Sequence, residues 1–190
     1  MKRVLWVTAI VLWSLTSAPV PSRADSLSPD ERAFFDKHLS KVVQVEPTKL
    51  HAAALDRVFH ATFYKVTVTI NEGGGGSQSM DLTVARAGDD LEAVSKPSTT
   101  EDLPHLKEML NPKFKLHTQQ DAKAVQDALD VLYPISKGFG DKDLKAKAIK
   151  HSGNEWTFVR GEFFQKHAGF VFTTDASGAI QSVKYSLELP

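Results

Sequence analysis

The 190-residue chain contains no cysteine. This absence excludes disulfide bonds, thiol nucleophiles, zinc sites with thiolate ligands and lipid attachment through a cysteine. Small secreted domains are often rich in disulfides, so an exported chain without cysteine is more typical of a bacterial periplasm than of a eukaryotic extracellular space. A chain of this length can bury a sizeable core without covalent cross-links.

The chain also has no excess of charge of either sign, since 23 Lys and Arg balance 23 Asp and Glu. Three of the basic residues fall within the first 24 positions, which leaves 20 basic and 23 acidic residues after them. This slight negative charge gives no general attraction to nucleic acid or anionic lipid. No later segment is apolar enough to cross a membrane. The sequence therefore predicts no nucleic-acid partner and no membrane span after residue 24.

The one long apolar run lies at the N-terminus. Two basic residues precede an apolar segment at 4–15, and the small residues Ser22 and Ala24 lie three and one positions before a cleavage site. This layout is typical of a secretory signal peptide, and the run is shorter than the roughly 20 residues that span a bilayer. We expect 1–24 to be a signal peptide and 25–190 to be a single domain in the periplasm or outside the cell.

Hydrophobic periodicity and turn residues predict an α+β fold, with helices packed on one face of a mostly antiparallel sheet. Apolar residues at helical spacing predict four helices, at 28–43, 48–59, 100–110 and 121–133. Alternating patterns predict strands at 63–70, 80–85, 91–95 and 114–118, and a final meander at 146–150, 156–164, 170–174 and 180–189. The glycine run at 73–76 lacks the following lysine and helix of a phosphate-binding loop and is interpreted as a hairpin loop. Residues 135–143 are predicted to form a loop.

A short internal similarity favours two related halves. Residues 54–59 read Ala-Leu-Asp-Arg-Val-Phe and residues 128–133 read Ala-Leu-Asp-Val-Leu-Tyr, and each segment ends a predicted helix that is followed by predicted strands. One interpretation is two helix-plus-meander units, 25–97 and 98–190. The alternative is that Ala-Leu-Asp is a common helical triplet.

Sequence signatures of catalysis are missing. The seven histidines include no His-x3-His pair and no His-Glu-x-x-His, so no metal site is predicted. Gly-x-Ser-x-Gly is also absent. These absences favour a protein that is not an enzyme and that uses no cofactor. A hydrolase with a site assembled in space, from His151, Glu162 and His167, stays as an alternative.

The predicted strand 156–164 has the most unusual composition. Alternation places five residues on one face: Trp156, Phe158, Arg160, Glu162 and Phe164. A doubly buried strand rarely holds an arginine and a glutamate unless they are paired. In one interpretation the aromatic side chains pack under the helices, and the two charged residues lie at the sheet margin or pair with neighbours. In the other interpretation this face is open and binds a partner, because Trp, Phe and Arg dominate binding surfaces.

These observations lead to three hypotheses about function. The first is an exported, non-enzymatic binding module that uses the C-terminal sheet face to bind a protein or a small amphipathic ligand. The second is the periplasmic hydrolase described above. The third is a structural or assembly component of the cell envelope, which would self-associate.

The export hypothesis predicts a defined N-terminus. When the full chain is expressed in a Gram-negative host, we expect the periplasmic fraction to contain a protein that begins at Asp25. N-terminal sequencing and intact mass measurement check this cleavage site. An uncleaved chain in the cytoplasmic fraction would contradict the prediction. Replacing Ala24 by a bulky residue should block the cleavage, because the site requires small side chains.

Overall fold

A computed structural model describes residues 27–39, 44–72, 76–95, 97–134, 147–163 and 166–189. The predicted signal peptide, the centre of the glycine run and the predicted loop at 135–143 lie outside these ranges. The described residues form helices and two antiparallel sheets, which confirms the α+β class. The helices are α1 (Pro29–Leu39), α2 (Ala53–Val58), α3 (Pro104–Glu108) and α4 (Gln119–Leu132). None of them is long and apolar enough to cross a membrane.

Each half of the chain contributes one sheet. The first sheet has the order β1-β2-β3-β4, with β1 at Gln44–Lys49, β2 at Thr62–Glu72, β3 at Gly76–Ala87 and β4 at Asp90–Ala93. The second sheet has the order β5-β9-β8-β7-β6. Its strands are β5 (Glu101–Asp102), β6 (Ala148–Ser152), β7 (Glu155–Phe163), β8 (Lys166–Thr174) and β9 (Ile180–Leu189). The C-terminal meander is therefore confirmed, and the described strands of the two halves lie in separate sheets.

One hydrophobic core includes residues from both halves. The helices α2 and α4 pack against each other, and the inward stripe of α4 is almost fully buried at Val125, Ala128 and Leu129. Aromatic residues of β7 and β8 complete this core. Each half places a helix ahead of a meander, α2 before β2–β4 and α4 before β6–β9. Their origin by duplication stays a prediction.

The prediction of a helix at 48–59 is wrong at its start. Thr48 and Lys49 belong to the strand β1, and the helix α2 occupies only Ala53–Val58. Pro47 suggested a break between two helices, but it lies inside β1 and faces Val66 of β2 in the register. Among the described strands, β1 pairs with β2 alone and so lies at the edge of the sheet, where a residue without an N–H group is tolerated.

Two predictions in the middle of the chain also need correction. The predicted helix at 100–110 begins only at Pro104, because proline suits the first helical position and disfavours helical geometry in the residue before it. The segment just before it forms the short strand β5 instead. No strand forms at 114–118, although the backbone N–H of Leu116 donates to the Gly178 carbonyl at 2.9 Å.

The helix α1 is attached to the first sheet through Glu31. The predicted N-cap is confirmed, since the backbone N–H of Glu31 donates to the Ser28 hydroxyl oxygen at 3.2 Å. The hydroxyl of buried Tyr64 donates to Glu31 Oε1 at 2.6 Å, and Lys49 Nζ lies 3.4 Å from the same oxygen. The hydrogen bond from Tyr64 lowers the pKa of Glu31 to about 2, against an ordinary value of 4.5. The ionised carboxylate therefore stabilises the packing of α1 on β2.

This carboxylate makes the stability of the fold depend on pH. The pKa is depressed in the folded state, so the stabilisation is present above pH 4.5 and is lost as the pH falls toward 2. At about 1.4 kcal/mol per pKa unit, the contribution is at most about 3 kcal/mol. We expect Glu31→Gln to lower the free energy of unfolding at pH 7 and to flatten its decline between pH 5 and 2. Urea titrations across this range measure both effects.

The exposed Asp36 on the same helix provides the control. Asp36→Asn should leave the pH profile close to that of the unsubstituted protein, because no contact of its side chain to the sheet is seen among the described residues. If Glu31→Gln and Asp36→Asn gave the same profile, the role assigned to Glu31 would be refuted.

Candidate functional site

The first part of the predicted binding strand lies in the core. Trp156 is 2% exposed and Phe158 is fully buried. The exposed ring of His151 stacks on Trp156 with 3.9 Å between ring centres, and Phe158 makes an edge contact with Phe172 at 5.2 Å. These two aromatic residues agree with the interpretation in which the aromatic side chains of this strand pack in the core. They support the sheet from inside and offer no open surface to a partner.

Arg160 is buried as well, and it pairs with a residue that the sequence did not suggest. Its guanidinium group lies 2.6 Å from Asp130 Oδ1 and donates to the backbone carbonyl of Tyr133 at 2.5 Å. The pairing of β7 with β8 shifts between Val159 and Gly161, so Arg160 is the extra residue of a β-bulge. Bulges redirect a side chain, and this one places a cation at the C-terminal end of α4.

The end of α4 provides the partners that a buried cation requires. Tyr133 is the C-cap residue of α4, and carbonyl groups at a helix C-terminus lack partners within the helix. A cation is favoured there because the helix dipole is negative at this end. Burial lowers the pKa of Arg160, and the Asp130 carboxylate opposes that shift. Lys147 Nζ donates to both oxygens of Asp130 at 3.1 Å, so the carboxylate is shared by two cations.

The backbone pairing of β7 shifts by one residue at the bulge. Glu162 is paired with His167 in the backbone register, while Arg160 has no direct partner on β8. The side chain of Glu162 lies outside the description, and Phe164 lies outside the described residues. The role of Glu162 and Phe164 in a binding face therefore stays a prediction.

The hydrolase site assembled from His151, Glu162 and His167 is not formed. His151 is opposite Trp156 in the register, whereas His167 is opposite Glu162. These two positions on β7 are six residues apart, which corresponds to about 20 Å along a strand. General acid–base chemistry requires groups within hydrogen-bond reach. The two histidines therefore belong to different ends of the sheet.

A cavity of about 290 Å³ lies where the chain passes from the first half to the second. We call it the junction cavity. It is lined by Ala93 at the end of β4, by 94–95 and 97–98 of the connection after β4, by 101–106 and Met109, and by Tyr133. Its wall includes the buried side chains of Leu106 and Met109. The sequence analysis missed this site, because its residues are distant in the sequence and form no motif.

Tyr133 connects the junction cavity to the predicted strand. Its ring packs on Phe170 with 5.1 Å between centres, and Arg160 holds its backbone carbonyl. The side chain is buried, and its hydroxyl makes no hydrogen bond within the part of the chain that the structure describes. Burial raises its pKa to about 12, so the hydroxyl is neutral at physiological pH. A neutral phenol can donate one hydrogen bond and accept others.

Acidic side chains lie among the cavity-lining residues. Glu101 and Asp102 are exposed members of the lining. His105, also a lining residue, has its Nδ1 3.7 Å from Oε1 of Glu92. Two carboxylates in the lining, with a third held by His105, favour a positively charged group in this part of the cavity. The cavity lining therefore combines apolar side chains with the Tyr133 side chain and acidic groups.

Comparisons of this chain with known proteins found no match. No family model, no curated protein and no solved structure matches it. In the ranges that the structure describes, no three His, Asp or Glu side chains gather in a way that could hold a metal ion. The chemistry of the site must therefore be argued from its own residues.

The contacts of Arg160 predict a large effect on stability. Replacing Arg160 by Met leaves the Tyr133 carbonyl without its donor and leaves Asp130 with only one cation. We expect a loss of about 3 kcal/mol in the free energy of unfolding, as is found when one partner of a buried ion pair is removed. Urea titration followed by the emission of Trp156 measures this loss.

Lys147→Met is the matched control, because it removes the other cation from the same carboxylate. The Lys147 side chain is 29% exposed against 8% for Arg160. A partly exposed ion pair contributes less than about 1 kcal/mol. Equal losses from the two substitutions would show that the burial of Arg160 has no special importance.

Proposed function

We propose that the protein is an exported, non-enzymatic binding module, and that it holds a small amphipathic ligand in the junction cavity. The observation that carries the proposal is a concave site with a mixed wall, in which the buried side chains of Leu106 and Met109 are apolar and Tyr133 adds a hydroxyl that has no partner among the described residues. Ligand sites are typically concave, and a small number of polar groups in them fix the orientation of the ligand. Export is supported by the signal-peptide pattern of the first 24 residues.

The size of the cavity limits the ligand. A volume of about 290 Å³ is at the small end of the range for ligand sites, roughly 300–1,000 Å³. The ligand is therefore a short molecule, or the short end of a longer one. Its apolar part contacts Leu106 and Met109, and its polar part reaches the hydroxyl of Tyr133.

The acidic residues favour a cationic ligand. The exposed carboxylates of Glu101 and Asp102 attract a positive group through a partly screened field. A short alkylammonium ion has the required chemistry, since it carries an apolar chain and one cation.

The C-terminal sheet contributes indirectly in this proposal. Phe170 of β8 supports the Tyr133 ring, and Arg160 of β7 fixes its backbone. The strand that the sequence singled out therefore positions the ligand-binding tyrosine and does not itself bind the ligand. Such a support keeps a binding group in one rotamer before the ligand arrives, which lowers the entropy lost on binding.

Isothermal titration of the exported protein with hexylammonium and with hexanoate tests the proposal. The two probes share an alkyl chain and differ in charge, and we expect the cation to bind more tightly. Tyr133→Phe should weaken hexylammonium binding about fivefold to tenfold, as expected for one lost hydrogen bond. The same substitution should leave the stability of the unliganded protein almost unchanged, because the hydroxyl has no partner among the described residues.

A second substitution tests the location of the site. Ser98 is an exposed residue that lines the cavity, and Ser98→Trp should fill the opening and abolish binding. Ser182→Trp, on an exposed position of β9, is the matched control and should bind normally. Failure of both probes to bind, or equal binding by all variants, would refute a ligand site in the junction cavity.

A further inference from the structure

The short strand β5 lies at one edge of the second sheet and lines the junction cavity. Its register places Glu101 opposite Tyr185 of β9, and the next residue, Asp102, opposite Lys184. In the order of this sheet, β5 has β9 on one side and no described strand on the other. Both residues of β5 are exposed and both line the cavity. The free side of β5 can therefore receive an additional strand.

The side chain of Glu101 is on the same face of the sheet as Tyr133. Directly opposed residues of an antiparallel pair share a face, so Glu101 is on the face of Tyr185. Tyr185 makes an edge contact with Phe170, with 5.3 Å between ring centres, and the Tyr133 ring packs on the same Phe170. A cation that reaches the hydroxyl of Tyr133 is therefore on the side of the sheet to which Glu101 points.

Asp102 is on the opposite face, beside a positive charge. Its register partner is Lys184, and such opposed side chains have Cβ atoms about 5 Å apart. The Lys184 ammonium group offsets the attraction of Asp102 for a second cation. The register partner of Glu101 is neutral, because burial raises the pKa of Tyr185. Of the two carboxylates in the cavity lining, Glu101 therefore attracts a cation more strongly.

The backbone of Asp102 has unused hydrogen-bonding groups. The N–H of Leu103 donates to the Val183 carbonyl at 2.8 Å, so the backbone groups of Leu103 point toward β9. Because these groups alternate with a period of two, those of Glu101 also point toward β9, and those of Asp102 point away from it. Among the described residues, no partner is found for the N–H or the C=O of Asp102. The outer edge of β5 thus offers one donor and one acceptor beside the cavity.

Building on the function proposed above, we propose that the ligand is a lysine side chain of another protein, presented by an extended segment that adds to β5 as an antiparallel strand. One residue of the segment exchanges two backbone hydrogen bonds with Asp102. The lysine that follows it lies opposite Glu101 and enters the junction cavity. In strand addition of this kind, backbone bonds supply affinity and a pocket for a side chain supplies specificity.

The geometry of antiparallel strands fixes this register. The residue opposite Asp102 forms a hydrogen-bonded pair, and its side chain shares the face of Asp102. The next residue of the segment forms a non-hydrogen-bonded pair with Glu101, in which side chains are closer, and it points to the face of Tyr133. The lysine ammonium group can pair with Glu101 and donate a hydrogen bond to the Tyr133 hydroxyl oxygen. A free amine would leave the backbone groups of Asp102 unused, which favours a protein segment.

A capped dipeptide tests the strand addition. In N-acetyl-alanyl-lysine N-methylamide, the alanine pairs with Asp102 and the lysine with Glu101. We expect isothermal titration to show that this dipeptide binds. Methylating the alanine nitrogen removes the N–H that donates to the Asp102 carbonyl, so it should weaken binding by about fivefold or more. Because this change is made in the probe, it does not depend on the folding of a variant.

Substitutions in β5 test the assignment of the two carboxylates. Glu101→Gln should weaken binding of the dipeptide about fivefold, as expected for a partly exposed ion pair. Asp102→Asn is the matched control and should change binding less than about twofold, because this carboxylate is on the other face beside Lys184. Both residues are exposed, so circular dichroism should show that both variants are folded.

Hexylammonium, titrated in parallel, distinguishes a wrong partner from a wrong cavity. If hexylammonium binds and Ser98→Trp abolishes its binding, the cavity is a ligand site. In that case, a dipeptide that does not bind, or that binds equally well when N-methylated, would overturn the protein segment and leave the small ligand. Equal effects of Glu101→Gln and Asp102→Asn would overturn the proposed register. If neither hexylammonium nor the dipeptide binds, the proposed function and the protein segment are both refuted.

Discussion

The buried contact between Arg160 and the end of α4 is the interaction on which the C-terminal half depends. A guanidinium group can be buried only where carboxylate and carbonyl oxygens replace the water that it loses. Asp130 and the Tyr133 carbonyl supply these oxygens at 2.6 and 2.5 Å. The same carbonyl would otherwise end the helix without a partner. The Arg160 side chain thus donates a hydrogen bond to the carbonyl at the end of α4, and the bulge in β7 directs the side chain to that position.

The two halves are joined by backbone contacts near Met109, one of the residues that line the junction cavity. His60 N–H donates to the Met109 carbonyl at 3.0 Å, and Asn111 N–H donates to the Val58 carbonyl at 2.9 Å. Arg57 of α2 forms an ion pair with Asp121, which also caps the start of α4. Met109 is thus anchored from the first half while Tyr133 is anchored from the second. Residues anchored to each half therefore contribute to the wall of the junction cavity.

The sequence was most informative where local preference and tertiary packing agree. The helix α4 has a strong cap at Thr118 and a regular apolar stripe, and the final meander has clear turns and alternation. The strand β1 was missed because Pro47 is acceptable only at an edge, and edge position is a property of the whole sheet. Met80 and Leu82 have a regular alternating pattern, but burial on one side depends on how far α1 extends over the sheet. Arg160 could be recognised as unusual, whereas its partners Asp130 and Tyr133 lie in another element.

The Thr83–Val94 hydrogen bond relates the first sheet to the junction cavity. Val94 is among the residues that line the cavity, and its backbone N–H donates to the Thr83 carbonyl of β3 at 2.8 Å. The connection to the second half therefore continues along the edge of β3 for one residue past the pairing of Val84 with Ala93. This attachment positions the lining residues that follow β4, because the backbone of Val94 is held by the sheet. The first sheet thus supports one side of the cavity, and the helix that ends at Tyr133 supports another.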